Sequence, residues 1–415
     1  MRKILSGRRG SGKGDFTIRV GVNLGSLSFQ LPIPSATPTG GGNLGFLVSW
    51  GDGSSDVIDA SNYNGAAATH TYGSSGTKII KISGAVRGWS FGSFPTEAAK
   101  LEQINNWGDF RFTETQTFKD CTNLQIIDAP DTPRFDQPNM FQTFRSCTKM
   151  SRINNIKNWN VQPITNMSSF FYECTGIKTG ATVGGNADIS NWDVKNVTKY
   201  DFMFSFCDDM NFHMFKVDTS SAGVNITARS MFQACDVFNN DGFSDMNNWD
   251  TSKIVNTSFM FSAATSFNQD ISNWEVKNIT NMSQMFAGNS GAPMAFNQPI
   301  GPWDTSSVQV MNNIFTLCNS FDQDLSNWDL TTINNHNNTL SVMTQAIGSF
   351  GLSTANYDAM LIAWDGPGGS TPYPNMPSGS ILNFGSSQYT GSGAAATAHG
   401  NLSTKWGGII DGGPV

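Results

Sequence analysis

The side chains best suited to chemistry in this chain are six cysteines, four histidines and a glycine-rich basic stretch at its start. A Cys–His pair could serve a nucleophilic enzyme, Cys and His together could hold a metal, and six thiols in an exported protein could form a disulfide framework. Their spacing argues otherwise. Cys121, Cys147, Cys174, Cys207, Cys235 and Cys318 each stand three residues after a phenylalanine, at Phe118, Phe144, Phe171, Phe204, Phe232 and Phe315. Phe261 and Phe286 keep the same register, with Ala264 and Asn289 in the thiol position. A position that accepts Cys, Ala or Asn is a slot for a small side chain, so free, buried thiols are expected. His70, His213, His336 and His399 share no spacing, and Cys207 with His213 is the nearest Cys–His pair. No catalytic, cofactor-binding or metal-binding residue is assigned, and no enzymatic activity or cofactor is expected.

Gly7-Arg8-Arg9-Gly10-Ser11-Gly12-Lys13-Gly14 falls one residue short of a phosphate-binding loop, because Gly14 stands where Ser or Thr would hold Mg²⁺ and no strand precedes it. Residues 1–14 read instead as a flexible docking arm whose charge comes from Arg2, Lys3, Arg8, Arg9 and Lys13. The acidic corners Asn268-Gln269-Asp270 and Asp322-Gln323-Asp324 would suit Ca²⁺. Pro138 and Pro299 replace the second acid in sister turns, which favours turn capping over metal. The glycosylation sequons at Asn166, Asn196, Asn278 and Asn281 arise from the repeat itself and read as turn chemistry. A glycan-active solenoid enzyme is a third functional reading. It would need two carboxylates about 5–10 Å apart in a groove, and no spacing selects such a pair.

The elements that position these residues form a repeat. The ladder of Phe118, Phe144, Phe171, Phe204, Phe232, Phe261, Phe286 and Phe315 has steps of 25 to 33 residues. That period predicts a solenoid, in which a turn gains a core only by stacking on the next. A second series runs out of phase with it, at Trp107, Trp159, Trp192, Trp249, Trp274, Trp303 and Trp328. In the clearest copy, Val276, Ile279, Met282, Met285 and Phe286 fall at three- and four-residue steps, which predicts a short helical or 3₁₀ segment facing inward. The wide gaps from Trp107 to Trp159 and from Trp192 to Trp249 each predict a turn without its Trp. Residues 179–186 and 208–224 are expected to bulge from one face. Ser353 is a good helix N-cap, and Tyr357, Met360, Leu361 and Trp364 form one apolar stripe, so a helix there would cover the last turn.

Composition agrees with a repeat array. Charged residues are only 14% of the 415, while 42 glycines and many Asn, Ser and Thr supply the polarity. A net charge of −7 gives no reason to expect nucleic-acid binding by the body of the protein. No run approaches the roughly 18–20 apolar residues of a membrane helix, so no membrane insertion is expected. The first residues lack an apolar segment after Leu5, and a signal peptide is not supported.

Ahead of the repeats, short alternating runs at 16–20, 27–31, 45–50 and 78–82 predict a β module. Trp50-Gly51-Asp52-Gly53, with His70-Thr71-Tyr72 downstream, closely resembles the signature of PKD domains, which implies an immunoglobulin-like sandwich acting as a spacer or weak adhesion module. His70 there reads as a packed or hydrogen-bonded strand residue. The pattern Asn-Trp-Asp-Val-x-Asn-Val-Thr-x-Met-x-x-Met-Phe is similar to the BspA-like leucine-rich repeat family, also described as DUF285, from about residue 100 to the end. That resemblance implies a surface-exposed adhesion or interaction protein without enzymatic activity.

The expected fold is therefore mainly β with short helical segments. It comprises an arm (1–14), a PKD-like sandwich (15–88), a leucine-rich-repeat-type solenoid of about eight to nine turns (89–340) and a C-terminal capping module (341–415). The leading functional expectation is a non-enzymatic structural and attachment protein of a phage virion, a head, neck or tail appendage. In that reading the arm and PKD-like domain contact other virion proteins, and the solenoid meets a host-surface glycan or protein. Self-association into a homo-oligomer is compatible with it. The alternative is a bacterial cell-surface or secreted adhesin.

Overall fold

The computed structural model describes residues 14–34, 44–63, 68–177, 188–219, 223, 225–289, 291–333, 351–366, 382–406 and 408–415. Arg2, Lys3, Arg8, Arg9 and Lys13 of the expected arm, His336 and the insertion 179–186 lie outside them. The described chain is mainly β, with three α-helices and no sheet closed into a barrel. None of those helices is long and apolar enough to cross a membrane. The chain divides into two compact units. One comprises the described residues up to Lys199 with Met203–Phe215, the other Tyr200–Phe202 with Lys216–Val415.

The first unit begins with strands β1 (Phe16–Val22), β2 (Ser28–Gln30), β3 (Gly45–Ser49), β4 (Ser55–Asp59), β5 (Thr69–Thr71) and β6 (Gly76–Ser83). In β1 the side chains alternate between buried and half-buried, so Phe16, Ile18, Val20 and Val22 face the core. After the short helix α1 (Pro95–Ala98) come β7 (Leu101–Asn106), β8 (Arg111–Phe112), β9 (Ile126–Ile127), β10 (Arg134–Phe135) and β11 (Arg152–Ile153). One seven-stranded sheet runs in the order β11-β9-β7-β1-β6-β3-β4, with β2 and β5 pairing separately. A sheet thus spans the boundary expected at residue 88. β1 pairs antiparallel with β6 on one side and with β7 on the other, and β9 and β11 then add in parallel to β7. The N-terminal strands therefore cover the edge that the first repeat would otherwise leave unpaired.

In the second unit β12 (Ile226–Thr227) and β13 (Ile254–Asn256) pair in parallel, and isolated parallel bridges continue from Asn256 to Asn281 and on to Val310. Helix α2 (Thr354–Asp365) follows, capped as expected by Ser353, whose hydroxyl accepts from Asn356 N–H. Tyr357, Met360, Leu361 and Trp364 are all buried. Strands β14 (Leu382–Asn383) and β15 (Ile409–Ile410) pair in parallel and flank α3 (Gly393–Trp406). The module is joined to the repeats through Asp322, whose carboxylate accepts from Ser353 N–H (2.8 Å) and Asn356 Nδ2 (2.9 Å).

Two local expectations are corrected. Residues 276–286 form turns, not a helix: Ile279 N–H donates to Val276 O and Met285 N–H to Met282 O, while Gln284 takes φ 53°. Consecutive turns closed by i→i+3 bonds space apolar residues much as a helix does. Residues 208–219 do not bulge either, since Met210, Phe212, Met214 and Phe215 are buried and Ile189 N–H donates to His213 O.

Candidate functional site

Each rung is built from alternate amides. Gln142, Phe144 and Ser146 donate their N–H groups to the carbonyls of Ser168, Phe170 and Tyr172 in the next rung. The intervening Arg145 N–H and the following Cys147 N–H close turns within the rung, onto Gln142 O and Phe144 O. This requires left-handed backbone two residues before and two after the ladder Phe. Gln142 and Ser146 both have φ 58°, and in the second unit Phe259 and Ala263 have φ 59° and 60°. With the backbone so held, the ladder rings fall into register. Phe118, Phe144, Phe171 and Phe204 stack at 5.4, 5.5 and 5.8 Å. In the second unit Phe232, Phe261, Phe286 and Phe315 stack at 5.6, 6.0 and 5.7 Å, with interplanar angles of 1°, 7° and 6°.

The thiols are hydrogen-bond donors as well as small plugs. Cys147 Sγ donates to Phe118 O (3.2 Å), Cys174 Sγ to Phe144 O (3.0 Å) and Cys207 Sγ to Phe171 O (3.0 Å), so each ties its rung to the preceding ladder carbonyl. Cys318 Sγ reaches Phe296 O at 3.4 Å. All six cysteines, including Cys121 and Cys235, are free and buried. Burial pushes the Cys121, Cys174 and Cys207 thiols well up and raises those of Cys147 and Cys318. A thiol held protonated is no nucleophile, which removes Cys207 as a partner for His213. His213 itself lies 3.8 Å from Asp188 through Nδ1. Native protein should expose no thiol to an aromatic disulfide reagent until it is unfolded, when all six should titrate. The stability these thiols contribute is complete below their unfolded value near pH 8.5 and is lost as pH rises towards the folded values. Rapid reaction of any thiol in the folded state would contradict this.

The Trp series forms the other column. Trp249 stacks on Trp274 at 5.7 Å, Trp303 on Trp328 at 6.4 Å and Trp159 on Trp192 at 6.4 Å. The indoles of Trp192, Trp274, Trp303 and Trp328 donate to Ile156 O, Met246 O, Ile271 O and Ile300 O. Trp107 meets Trp159 edge-on at 5.8 Å, with Phe135 from the intervening rung against Trp159. After Trp192 the slot is filled by Phe215, stacked at 6.2 Å and 5°. The segment Phe215-Lys216-Val217-Asp218 carries the register of Trp-Asp-Val, a signal present in the sequence and obscured by the exchange of Trp for Phe.

The Asn and Asp corners are occupied by the fold. Asn268 N–H donates to Asn239 Oδ1, Asn297 N–H to Asn268 Oδ1 and Asp322 N–H to Asn297 Oδ1, while Gln269, Gln298 and Gln323 bond the same asparagines through Nε2. Asp270 and Asp324 accept from the amides of Ser272 and Ser326 in Asx turns. The corners weighed for Ca²⁺ thus use their oxygens within the ladder. The sequon asparagines do likewise: Asn166 Nδ2 donates to Asn139 Oδ1, Asn196 Nδ2 to Gln162 O and Asn278 Nδ2 to Ser252 O, while Asn281 Oδ1 accepts from Ser283 N–H.

In the first unit Ser54, His70 and Asp52 do come together. Gly51 (φ 88°) and Gly53 (φ 96°) turn the chain around Asp52, and a methyl on Gly51 would collide with the Ile79 carbonyl. Trp50 stacks on His70 at 5.1 Å, Tyr72 meets His70 edge-on, and Tyr72 Oη donates to Trp50 O. A catalytic relay needs the hydroxyl on one imidazole nitrogen and the carboxylate on the other. Here Nε2 receives both, Asp52 Oδ2 at 2.7 Å and Ser54 Oγ at 3.4 Å, while Ser54 Oγ also donates to Asp52 Oδ1. The group is a turn lock. Hydrogen bonds from the Ser54 hydroxyl, the Ser54 amide and His70 hold the Asp52 carboxyl well below the usual range. Burial, then the Asp52 charge, pushes the Tyr72 phenol up. The stability contributed through Asp52 is present above the ordinary carboxylate pKa and lost as pH falls through its depressed value. Asp52→Asn should therefore flatten the acid limb of a stability–pH curve, and an unchanged limb would refute the lock.

His399 lies in the C-terminal module, stacked on Tyr389 at 4.2 Å with Nε2 3.0 Å from Asp411, which also accepts from Tyr357 Oη (2.7 Å). The ladder side chains are buried. A family model described as "Mycoplasma protein of unknown function, DUF285" matches residues 111–245 and again 226–350, together more than half of the chain. No curated protein and no solved structure matches.

Proposed function

Because this chain belongs to the DUF285 family, we propose that it is a non-enzymatic attachment protein of a bacterial cell surface, whose repeats present a binding face. The observation that carries the reading is the division of labour within a rung: Phe, Trp and Cys at fixed positions are buried, and outward positions such as Gln142, Tyr172, Phe206 and Arg229 change from copy to copy. Such a scaffold varies its outer side chains without disturbing its core. The architecture we infer is a leucine-rich-repeat-type solenoid within each unit. A PKD-like sandwich covers one end of the repeats in the first unit, and the C-terminal helices cover one end of the repeats in the second. The pairing of β1 with β7 and the bonds from Ser353 and Asn356 to Asp322 support that arrangement. The Ser54–His70–Asp52 cluster of the first unit, wired through one ring nitrogen, supports a role without catalysis.

The cell surface is preferred to a virion appendage because the family match over residues 111–350 supports it. Protease treatment of intact cells, followed by mass spectrometry of the released peptides, tests the proposal. Release of peptides from residues 111–350 is the expected result. Recovery of the chain only in purified virus particles, or only inside the cell, would overturn it.

A further inference from the structure

The second unit carries a cation that its own fold does not neutralise. Arg229 is exposed and forms no ion pair among the described residues. Its guanidinium carbon lies 5.4 Å from the ring centroid of Phe202 and 5.9 Å from that of Phe259. These rings belong to the rungs on either side: Phe202 N–H donates to Arg229 O, and Ser230 N–H to Ser258 O. The column two residues before the ladder Phe thus reads Phe202, Ser230, Phe259, and the small Ser230 leaves room for Arg229 between two aromatic faces.

Left-handed backbone recurs at this position from rung to rung, but at both rings a bulky side chain takes it. Phe202 (φ 58°) and Phe259 (φ 59°) are bulky residues in left-handed conformation, where sister rungs place Gln116, Gln142, Gln284 and Asn313. Such conformations are costly for large side chains and cluster at functional positions. The nearby carboxylate of Asp201 is engaged elsewhere, accepting from the Thr227 hydroxyl (2.8 Å) and from the backbone N–H of Arg229 (2.9 Å). Asp201 therefore steadies the strand that carries Arg229. A guanidinium stacked on aromatic faces keeps its planar fork of N–H donors and has already lost much of its rotamer freedom, so a ligand has less to immobilise.

We propose that Arg229, clamped between Phe202 and Phe259, recognises the carboxylate of an acidic saccharide, of uronate or sialate type, through a bidentate guanidinium–carboxylate contact. The protein's net charge of −7 opposes dense polyanions, so one exposed cation is suited to reading a single anionic group. Thr227 and Asn256, both half-buried beside Arg229, bring the hydroxyl and amide chemistry that sugar hydroxyls pair with. This inference rests on the surface-attachment reading and names its ligand class.

Titration calorimetry of the full chain with an otherwise neutral oligosaccharide ending in one uronate, a singly sialylated oligosaccharide and the carboxyl-reduced form of the first tests it. At least one acidic oligomer should bind ten-fold or more tightly than the reduced one. That preference should vanish in Arg229→Ala and fall at least ten-fold in Arg229→Lys, which keeps the charge and loses the planar fork. Phe259→Leu should weaken binding while Arg229 is retained, and melting curves of all three variants should confirm folding. Equal binding of acidic and reduced oligomers, undiminished binding by folded Arg229→Ala, or a preference for poly-glutamate over both saccharides would overturn the proposal. Absence of saccharide binding by a protein still released from intact cells by protease would sink this inference alone, whereas absence from the cell surface would sink the attachment reading.

Discussion

Phe261→Ala is expected to destabilise the second unit by about 3–5 kcal/mol, the range for truncating a buried aromatic. Phe261 is fully buried and touches four rings: Phe232 at 5.6 Å, Phe286 at 6.0 Å, Phe267 at 3.8 Å and Trp274 at 6.1 Å. Its backbone N–H also donates to Met285 O, so the cavity would open between turns that are tied together and cannot easily collapse to fill it. A whole domain is stabilised by only about 5–15 kcal/mol. In a repeat array the loss falls first on the neighbouring rungs, because each rung contacts only those beside it. Urea unfolding followed by tryptophan fluorescence should show an earlier transition, and a shift worth less than about 1 kcal/mol would mean that ring stacking does not hold the rungs together.

Gly108→Ala should cost on the order of 3 kcal/mol in the first unit, combining backbone strain with overpacking. Gly108 has φ 54°, and a methyl there would press on the Gly14 carbonyl and the Phe16 amide, at the entry to β1. The position cannot relax easily. Asp131 grips both sides of the turn, accepting from Trp107 N–H (2.8 Å) and Gly108 N–H (2.7 Å), and Trp107 packs against Phe16 and Phe110. The strained residue therefore lies where β1 meets the first repeat, and hydrogen exchange should show β1 and β7 losing protection together. Wild-type exchange in the variant would show that this junction tolerates a side chain and that the sheet across residue 88 does not depend on it.

Much of the core was legible because a stacked rung repeats its demands. Within each unit the ladder Phe and Trp recur because each meets its equivalent one turn away, and the thiol slot shows its size by accepting the buried Ala264, whereas Asn289, expected in the same slot, is exposed in a turn with Ala292. Ser353 and the stripe from Tyr357 to Trp364 were equally readable, because a helix cap and its buried face are local features. Phe215 breaks the Trp series without breaking the column, since a slot is defined by shape and a Phe fits it. The segment 276–286 has helical spacing without a helix because successive turns imitate it. What the periodicity of the amino acids determined was the inward half of the protein: which side chains are buried, at what interval, and that copies must stack. The tertiary structure alone decided that Cys147, Cys174 and Cys207 donate to the preceding ladder Phe carbonyl, that β1 joins β7, that Asp322 receives helix α2, and that Arg229 lies between Phe202 and Phe259. Each of these joins groups remote in the chain, and no local pattern of residues encodes a distance between rungs until the backbone has brought them together.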